Sequence, residues 1–125
     1  MRNNIKKLRS QFSQYNIDGY IIPKNDEFFS EYSNKDRLKF ISNFSGSAGY
    51  AIILKKKNYL FIDSRYTIQA RLESGNNFII LNYEKIINCE IFKNLTIGID
   101  PTLFTNDQVK KIFSNNKIKS IKINL

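Results

Sequence analysis

Apolar residues along this chain follow two rhythms. Between Asn3 and Tyr15, the residues Ile5, Leu8, Phe12 and Tyr15 recur every three or four positions. That is one stripe of an amphipathic helix, and Asn16 is its expected stop. Beyond it the apolar positions come in short unbroken runs. "DGYIIP", Asp18 to Pro23, reads as a buried strand ended by proline. Residues Lys24 to Lys35 are polar and aromatic by turns and read as loop, with one helical turn around Glu31 and Tyr32. Asp36 is placed to cap a short helix carrying Leu38, Phe40 and Ile41.

"YAIIL" and "YLFID" are separated by "KKKN", and the short polar connection predicts a β-hairpin. Ser64 is then placed to cap a helix from Arg65 to Leu72, closed by Ser74 and Gly75. "NFIILNY" is a further strand, and Glu84 to Asn94 carries no legible pattern. "LTIGIDP" is a strand that also ends at proline. Thr105 caps a helix with Val109, Ile112 and Phe113 on one face, and "IKSIKINL" closes as a strand whose alternating lysines mark a solvated face. The order implies an α/β domain, a mixed five- or six-stranded sheet flanked by helices.

Length and composition narrow this further. At 125 residues the chain is expected to be one domain, 1–125, with a core that needs no disulfide or metal staple. No apolar run approaches the ~20 residues that a bilayer span needs, so no membrane association is expected. "MRNNIKKLRS" lacks the apolar segment of a secretory signal, and the single cysteine, Cys89, excludes an internal disulfide. The expected setting is cytoplasmic.

The formal charge of +9 raises nucleic acid as a partner. Yet the lysines are scattered apart from Lys55–Lys57, and Asn, Ile and Lys are frequent together, as an AT-rich coding bias produces. A basic balance alone is weak evidence for nucleic acid. The count of zero histidines decides more. It excludes Ser-His-Asp and Cys-His catalysis and imidazole-bound zinc. No carboxylates stand at convincing ligand spacing either, so no catalytic and no metal-binding residue is assigned.

Two segments carry candidate chemistry. In "NFSGSAGYAI", Gly46, Ser47, Ala48 and Gly49 nearly spell a nucleophile elbow, but Ser45 holds the first glycine position. An elbow also follows a strand and precedes a helix, the reverse of the order here. A phosphate loop fails on the same order and lacks its Lys-Ser/Thr pair. What remains is a tight turn whose small side chains let the backbone pack closely. In "IDSRYTIQA", Asp63 and Arg65 bracket the passage from strand to helix, and strand ends are where ligands bind in α/β sheets. The Arg65 fork suits a carboxylate or a peptide carbonyl, while an Asp63–Arg65 surface pair is the plain alternative. Phe28 and Phe29 in "NDEFFSEY" read as aromatics plugging a sheet edge or an interface.

Taken together, "DGYIIPKNDEFFSEY", "DRLKFISNFSGSAGYAIIL", "YLFIDSRYTIQA" and "IGIDPTLFT" resemble, in order and spacing, the N-terminal domain of Xaa-Pro aminopeptidases (aminopeptidase P) of the creatinase/prolidase superfamily. The family pattern is a Tyr-Ile-x-Pro strand, a Glu-Tyr pair, FxGFxGSAG, a hairpin, DGRYxxQA and a GxDP strand. The match runs from about Asp18 onward. Here Asn43 stands where the family has glycine, Ser64 replaces the glycine before Arg65, and Phe28 and Phe29 fall where many relatives have histidine and glutamine.

The resemblance implies that catalysis sits in a separate C-terminal pita-bread domain that this chain does not contain. There a pair of divalent metals, often manganese, is held by aspartates, glutamates and a histidine, and cleaves peptides with proline in second position. It implies that the N-terminal domain helps to form a homodimer or associates with the catalytic domain, and shapes the entrance to its site. It also makes Arg65 a substrate-binding residue. The chain alone is expected to be inactive, an excised domain or the product of a truncated or split gene. The alternatives are a stand-alone binding module using Arg65 and the Phe28/Phe29 loop, and a basic nucleic-acid binder whose binding would collapse with salt.

Overall fold

The unbroken apolar runs become strands of one sheet that is covered on both faces. The computed structural model describes residues 2–23, 37–42, 44, 49–75, 77–86, 93–101, 104, 106–113 and 116–121. Helices α1 (Arg2–Ser10) and α2 (Phe12–Tyr15) lead into β1 (Gly19–Pro23), and α3 (Arg37–Ser42) precedes the hairpin of β2 (Gly49–Leu54) and β3 (Asn58–Ile62). A 3-10 turn (Ser64–Tyr66) opens α4 (Thr67–Ser74), and β4 (Ile79–Asn82) runs into a second 3-10 turn (Tyr83–Ile86). Strand β5 (Thr96–Ile99), helix α5 (Asn106–Ile112) and strand β6 (Lys117–Ser120) follow.

The described strands form a six-stranded mixed sheet in the order β4-β3-β2-β1-β5-β6. β2 pairs antiparallel with both β1 and β3, whereas β1–β5, β3–β4 and β5–β6 pair parallel. A parallel neighbour needs a crossover, supplied by α4 between β3 and β4 and by α5 between β5 and β6. The two crossovers travel in opposite directions across the sheet, so a common hand puts their helices on opposite faces. Ala70 of α4 accordingly packs with Ile5, Leu8, Leu38 and Ile41 on one side, and Ile112 of α5 packs with Ile86 and Phe113 on the other.

The strands split their side chains between these layers. Tyr20, Ile22, Ala51, Ile53, Leu60 and Ile62 enter the first core, and Ile21, Ile52, Tyr59, Phe61, Ile97 and Ile99 enter the second. Burial on both faces is why the runs contain no polar alternation. Each fully buried leucine or isoleucine contributes about 1.5–3 kcal/mol.

Polar contacts fix the layers in register. Arg9 Nε donates to the Leu54 carbonyl at 2.7 Å and its Nη2 donates to Asn58 Oδ1, pinning α1 to the end of the hairpin. Asn58 in turn donates to the Asn77 carbonyl at 2.9 Å, just before β4. The buried Tyr20 ring sends its hydroxyl to the Ile121 carbonyl at 2.6 Å, so β1 holds the segment after β6. Gly98 makes room for that ring. A Cβ there would stand 2.8 Å from Tyr20 Cδ2 and 3.0 Å from Ile17 Cδ1.

Several sequence expectations shift in detail. The first helix breaks at Gln11 although its stripe of Ile5, Leu8 and Phe12 is buried as expected. Asn16 does end it, in the left-handed region at φ 55. Ser74 and Gly75 do close α4: the helix ends at Ser74, and Gly75, with a right-handed φ of −63, caps it through its N–H on the Arg71 carbonyl. The last strand begins at Lys117, with Lys117 and Lys119 exposed and Ile118 half-buried. The turn at Glu31 and Tyr32, the caps at Asp36 and Thr105, and Cys89 lie outside the described residues.

Candidate functional site at the carboxyl end of the sheet

Strand direction gathers what the sequence scatters. β1, β3 and β5 run the same way, so Pro23, Ile62 and Ile99 end at one end of the sheet. β2 runs against them and therefore starts there, with Gly49 opposite Ile62 and Tyr50 opposite Pro23. The Asp63–Arg65 corner and the Asp100-Pro101 turn thus leave from the end at which β1 stops and β2 starts. It is the end at which α/β sheets bind ligands.

Two aromatic contacts join the segments directly. Phe44 of "NFSGSAG" meets Tyr66 of "DSRY" edge-on, with centroids 6.0 Å apart, and Tyr50 stacks on Phe104 of "DPTLF" at 6.4 Å. Geometries of this kind add about 0.5–1.5 kcal/mol beyond area burial. A hydroxyl relay fixes the first contact. Ser42 Oγ donates to the Leu38 carbonyl at 2.6 Å and accepts the Phe44 N–H, while Ser74 Oγ donates to the Ser42 carbonyl at 2.6 Å. Both serines are buried, so the relay ties the end of α3 to the end of α4.

Gly49 explains part of the glycine turn. Its φ is +157, and a Cβ would stand 3.0 Å from the Phe61 carbonyl oxygen. What comes close at Gly49 is the neighbouring strand. Ser45, Gly46, Ser47 and Ala48 lie outside the described residues, as do Asn43, Phe28 and Phe29.

The corner after β3 is built by Asp63. Its backbone is extended, with φ −64 and ψ 138, and its Oδ1 accepts the Arg65 N–H at 2.9 Å. Asp63, not Ser64, is therefore the cap. The helix expected from Arg65 starts as a 3-10 turn and becomes α-helical only at Thr67. Asp63 Oδ2 also accepts from Arg65 Nη2 at 3.2 Å, and the guanidinium lies 5.7 Å from the Tyr66 ring centroid. The Arg65 N–H, then its guanidinium, hold the Asp63 carboxyl below the usual carboxylate range. The Arg65 side chain is 76% exposed, so the Asp63 pair orients it without adding much stability.

The sequence reading singled out Arg65 and Asp63, and the structure brings them together. It missed the two residues beside them, Ile68 and Leu72, which stand 76% and 83% exposed on α4. The signal was present: Ala70 and Ser74 share the same four-residue spacing, and these small residues form the inner face. A separate open cleft of about 570 Å³ lies between the α1–α2 corner and the hairpin turn, lined by Arg9, Phe12, Asp18 and Lys55. Its charges already have partners, Lys55 on Asp18 at 3.4 Å and Arg9 on the hairpin. Among the described residues no three His, Cys, Asp or Glu side chains come together as a cation site.

Residues 4–123 match the family described as Creatinase/Prolidase N-terminal domain. The chain belongs to this family. It is 36% identical to Xaa-Pro aminopeptidase 2 of Rattus norvegicus over 131 residues, covering 94% of this chain and 19% of that protein. The structure superposes on the X-prolyl aminopeptidase of Caenorhabditis elegans with a TM-score of 0.80 at 28% identity, over 98% of this chain and 24% of that one. The nematode protein is described as a cytosolic enzyme with a di-nuclear active site. The N-terminal domain of the cytoplasmic peptidase PepQ from Mycobacterium tuberculosis shares the fold at a TM-score of 0.71 and 18% identity, covering 94% of this chain and 91% of that one. The chain spans about a fifth of the length of the curated relatives it matches. No helix among the described residues is long and apolar enough to cross a membrane.

Proposed function

We propose that this creatinase-like domain, residues 1–125, serves an Xaa-Pro aminopeptidase as a non-catalytic part that supports dimerisation and shapes substrate access. The observation that carries the reading is that the ends of β1, β3 and β5 and the start of β2 lie at one end of the sheet, where the Phe44–Tyr66 and Tyr50–Phe104 contacts and exposed Arg65 stand. The chain has no histidine to serve as base or metal ligand, so peptide cleavage falls to a separate peptidase domain bearing the divalent metal pair. When bound there, that pair supplies the attacking water. The groups on this chain do something else. Asp63 and the Tyr66 ring hold the Arg65 fork at the sheet end, where it can take a carboxylate or carbonyl of a peptide with proline in second position. The cytosolic setting of the nematode relative supports a cytoplasmic location.

The test is an amide-shift titration of the chain with a short Xaa-Pro peptide. Shifts centred on Arg65 and Tyr66, lost in Arg65→Ala, are expected. A peptide that shifts only residues elsewhere removes Arg65 from substrate binding.

A further inference from the structure

The cleft beside the α1–α2 corner lies at the opposite end of the sheet from Arg65. Asp18 stands just before β1 and Lys55 just after β2, and both line it. Its volume of about 570 Å³ is in the range of small-molecule sites, and every residue of its wall is described. The pairings in this wall leave donors over. Arg9 spends its Nε proton on the Leu54 carbonyl and an Nη2 proton on Asn58, so both Nη1 protons remain. Lys55 pairs with Asp18 at 3.4 Å while its side chain stays 66% exposed. The Ser13 hydroxyl and the Asn16 side-chain amide belong to the same wall, and neither has a partner among the described residues.

The carboxylate of the wall, by contrast, is spent. Asp18 Oδ2 accepts the Thr96 N–H at 2.9 Å and Oδ1 faces Lys55. The surroundings are basic: α1 has no acidic residue, and Lys6, Lys7, Lys56 and Lys57 are exposed on α1 and the hairpin turn. Burial pushes the Arg9 guanidinium below its ordinary pKa, a desolvation cost that a bound anion offsets. Free donors beside a spent acceptor select an oxyanion.

We propose that this cleft binds a phosphomonoester, with Arg9 and Lys55 supplying the charge and Ser13 and Asn16 the further donors. A carboxylate offers fewer oxygens and a single charge. A phosphomonoester brings three terminal oxygens and close to two negative charges near neutral pH. Donors from four side chains, with two cations against one carboxylate, match the second. The exposed lysines around the cleft draw an anion toward it without belonging to its wall. None of these residues touches the Arg65 corner, so the site and the substrate-access reading stand or fall separately.

Titration with inorganic phosphate, followed by amide shifts and with chloride holding the ionic strength constant, tests the proposal. Saturable shifts at Arg9, Ser13, Asn16 and Lys55 are expected, with acetate binding about tenfold more weakly. Ser13→Ala with Lys55→Ala should weaken phosphate about tenfold, and far-ultraviolet circular dichroism should show the fold unchanged, since both side chains are exposed. A sugar phosphate and a phosphoserine peptide then separate a free ligand from a protein-borne one; saturable binding of either supports the site, and the tighter names the source. Shifts that never saturate, that spread over all the exposed lysines, or that survive the double substitution overturn the site. Acetate that binds as well as phosphate, or phosphate that binds when neither ester does, overturns the phosphomonoester.

Discussion

In the middle of the sheet Ile21, Ile52, Leu60 and Phe61 are fully buried, while a few residues past β3 two equally apolar side chains, Ile68 and Leu72, are more than three-quarters exposed. The difference lies in what each backbone leaves room for. Strands β1, β2 and β3 have helices or turns over both faces and side chains that alternate between two cores. Helix α4 turns small residues, Ala70 and Ser74, toward the sheet and its large ones outward. Stability therefore resides in the centre, and the corner at Asp63 to Leu72 is left available for contacts.

Substitutions can break that contrast or sharpen it. Leu60→Ala, in the middle of β3, should cost about 2–5 kcal/mol in urea unfolding, because the site cannot collapse between two packed layers. A loss below about 1 kcal/mol would mean that the centre is not where stability lies. Ser74→Ala should cost about 1–3 kcal/mol by stripping the buried Ser42 carbonyl of its hydroxyl donor, and should loosen the Phe44–Tyr66 contact. Near-ultraviolet circular dichroism reports that contact. Replacing Ile68 and Leu72 together by glutamate should move stability by no more than about 0.5 kcal/mol, since both already face water.

The smallest effect is at Asp63. Its folded carboxyl titrates below the ordinary value of about 4, so its contribution is full above that pH and is lost as pH falls through the depressed folded value. A carboxyl-carbon NMR titration should find the midpoint low, and Arg65→Ala should move it partway back, because the backbone N–H of residue 65 remains as a donor. A midpoint at the ordinary value would show that the corner is not held.

Much of the fold was legible in the sequence for a physical reason. Runs such as "YAIIL" and "YLFID" are apolar at every position only if both faces are covered, and "KKKN" between them leaves room only for a turn, closed by the Leu54 N–H on the Lys57 carbonyl. The break at Gln11 was not legible, because the buried stripe continues straight through it. Nor was the cap: Asp63 and Ser64 are adjacent and both residue types cap well, and the extended backbone at Asp63 decides between them. Strand order was out of reach, since the partners of β1 and β3 are set by packing over long sequence separations. The site shared that limit. Its pieces could be named, but that they lie at one end follows from strand directions that only the assembled sheet has.

The proposed function has this chain shape a peptide-cleaving site while the cleavage itself is carried out by a separate peptidase domain. Purified chain, incubated with an Xaa-Pro peptide and manganese, should release no N-terminal residue above the protein-free blank at any pH where it is folded. Release that scales with chain concentration and disappears on chelation would contradict it.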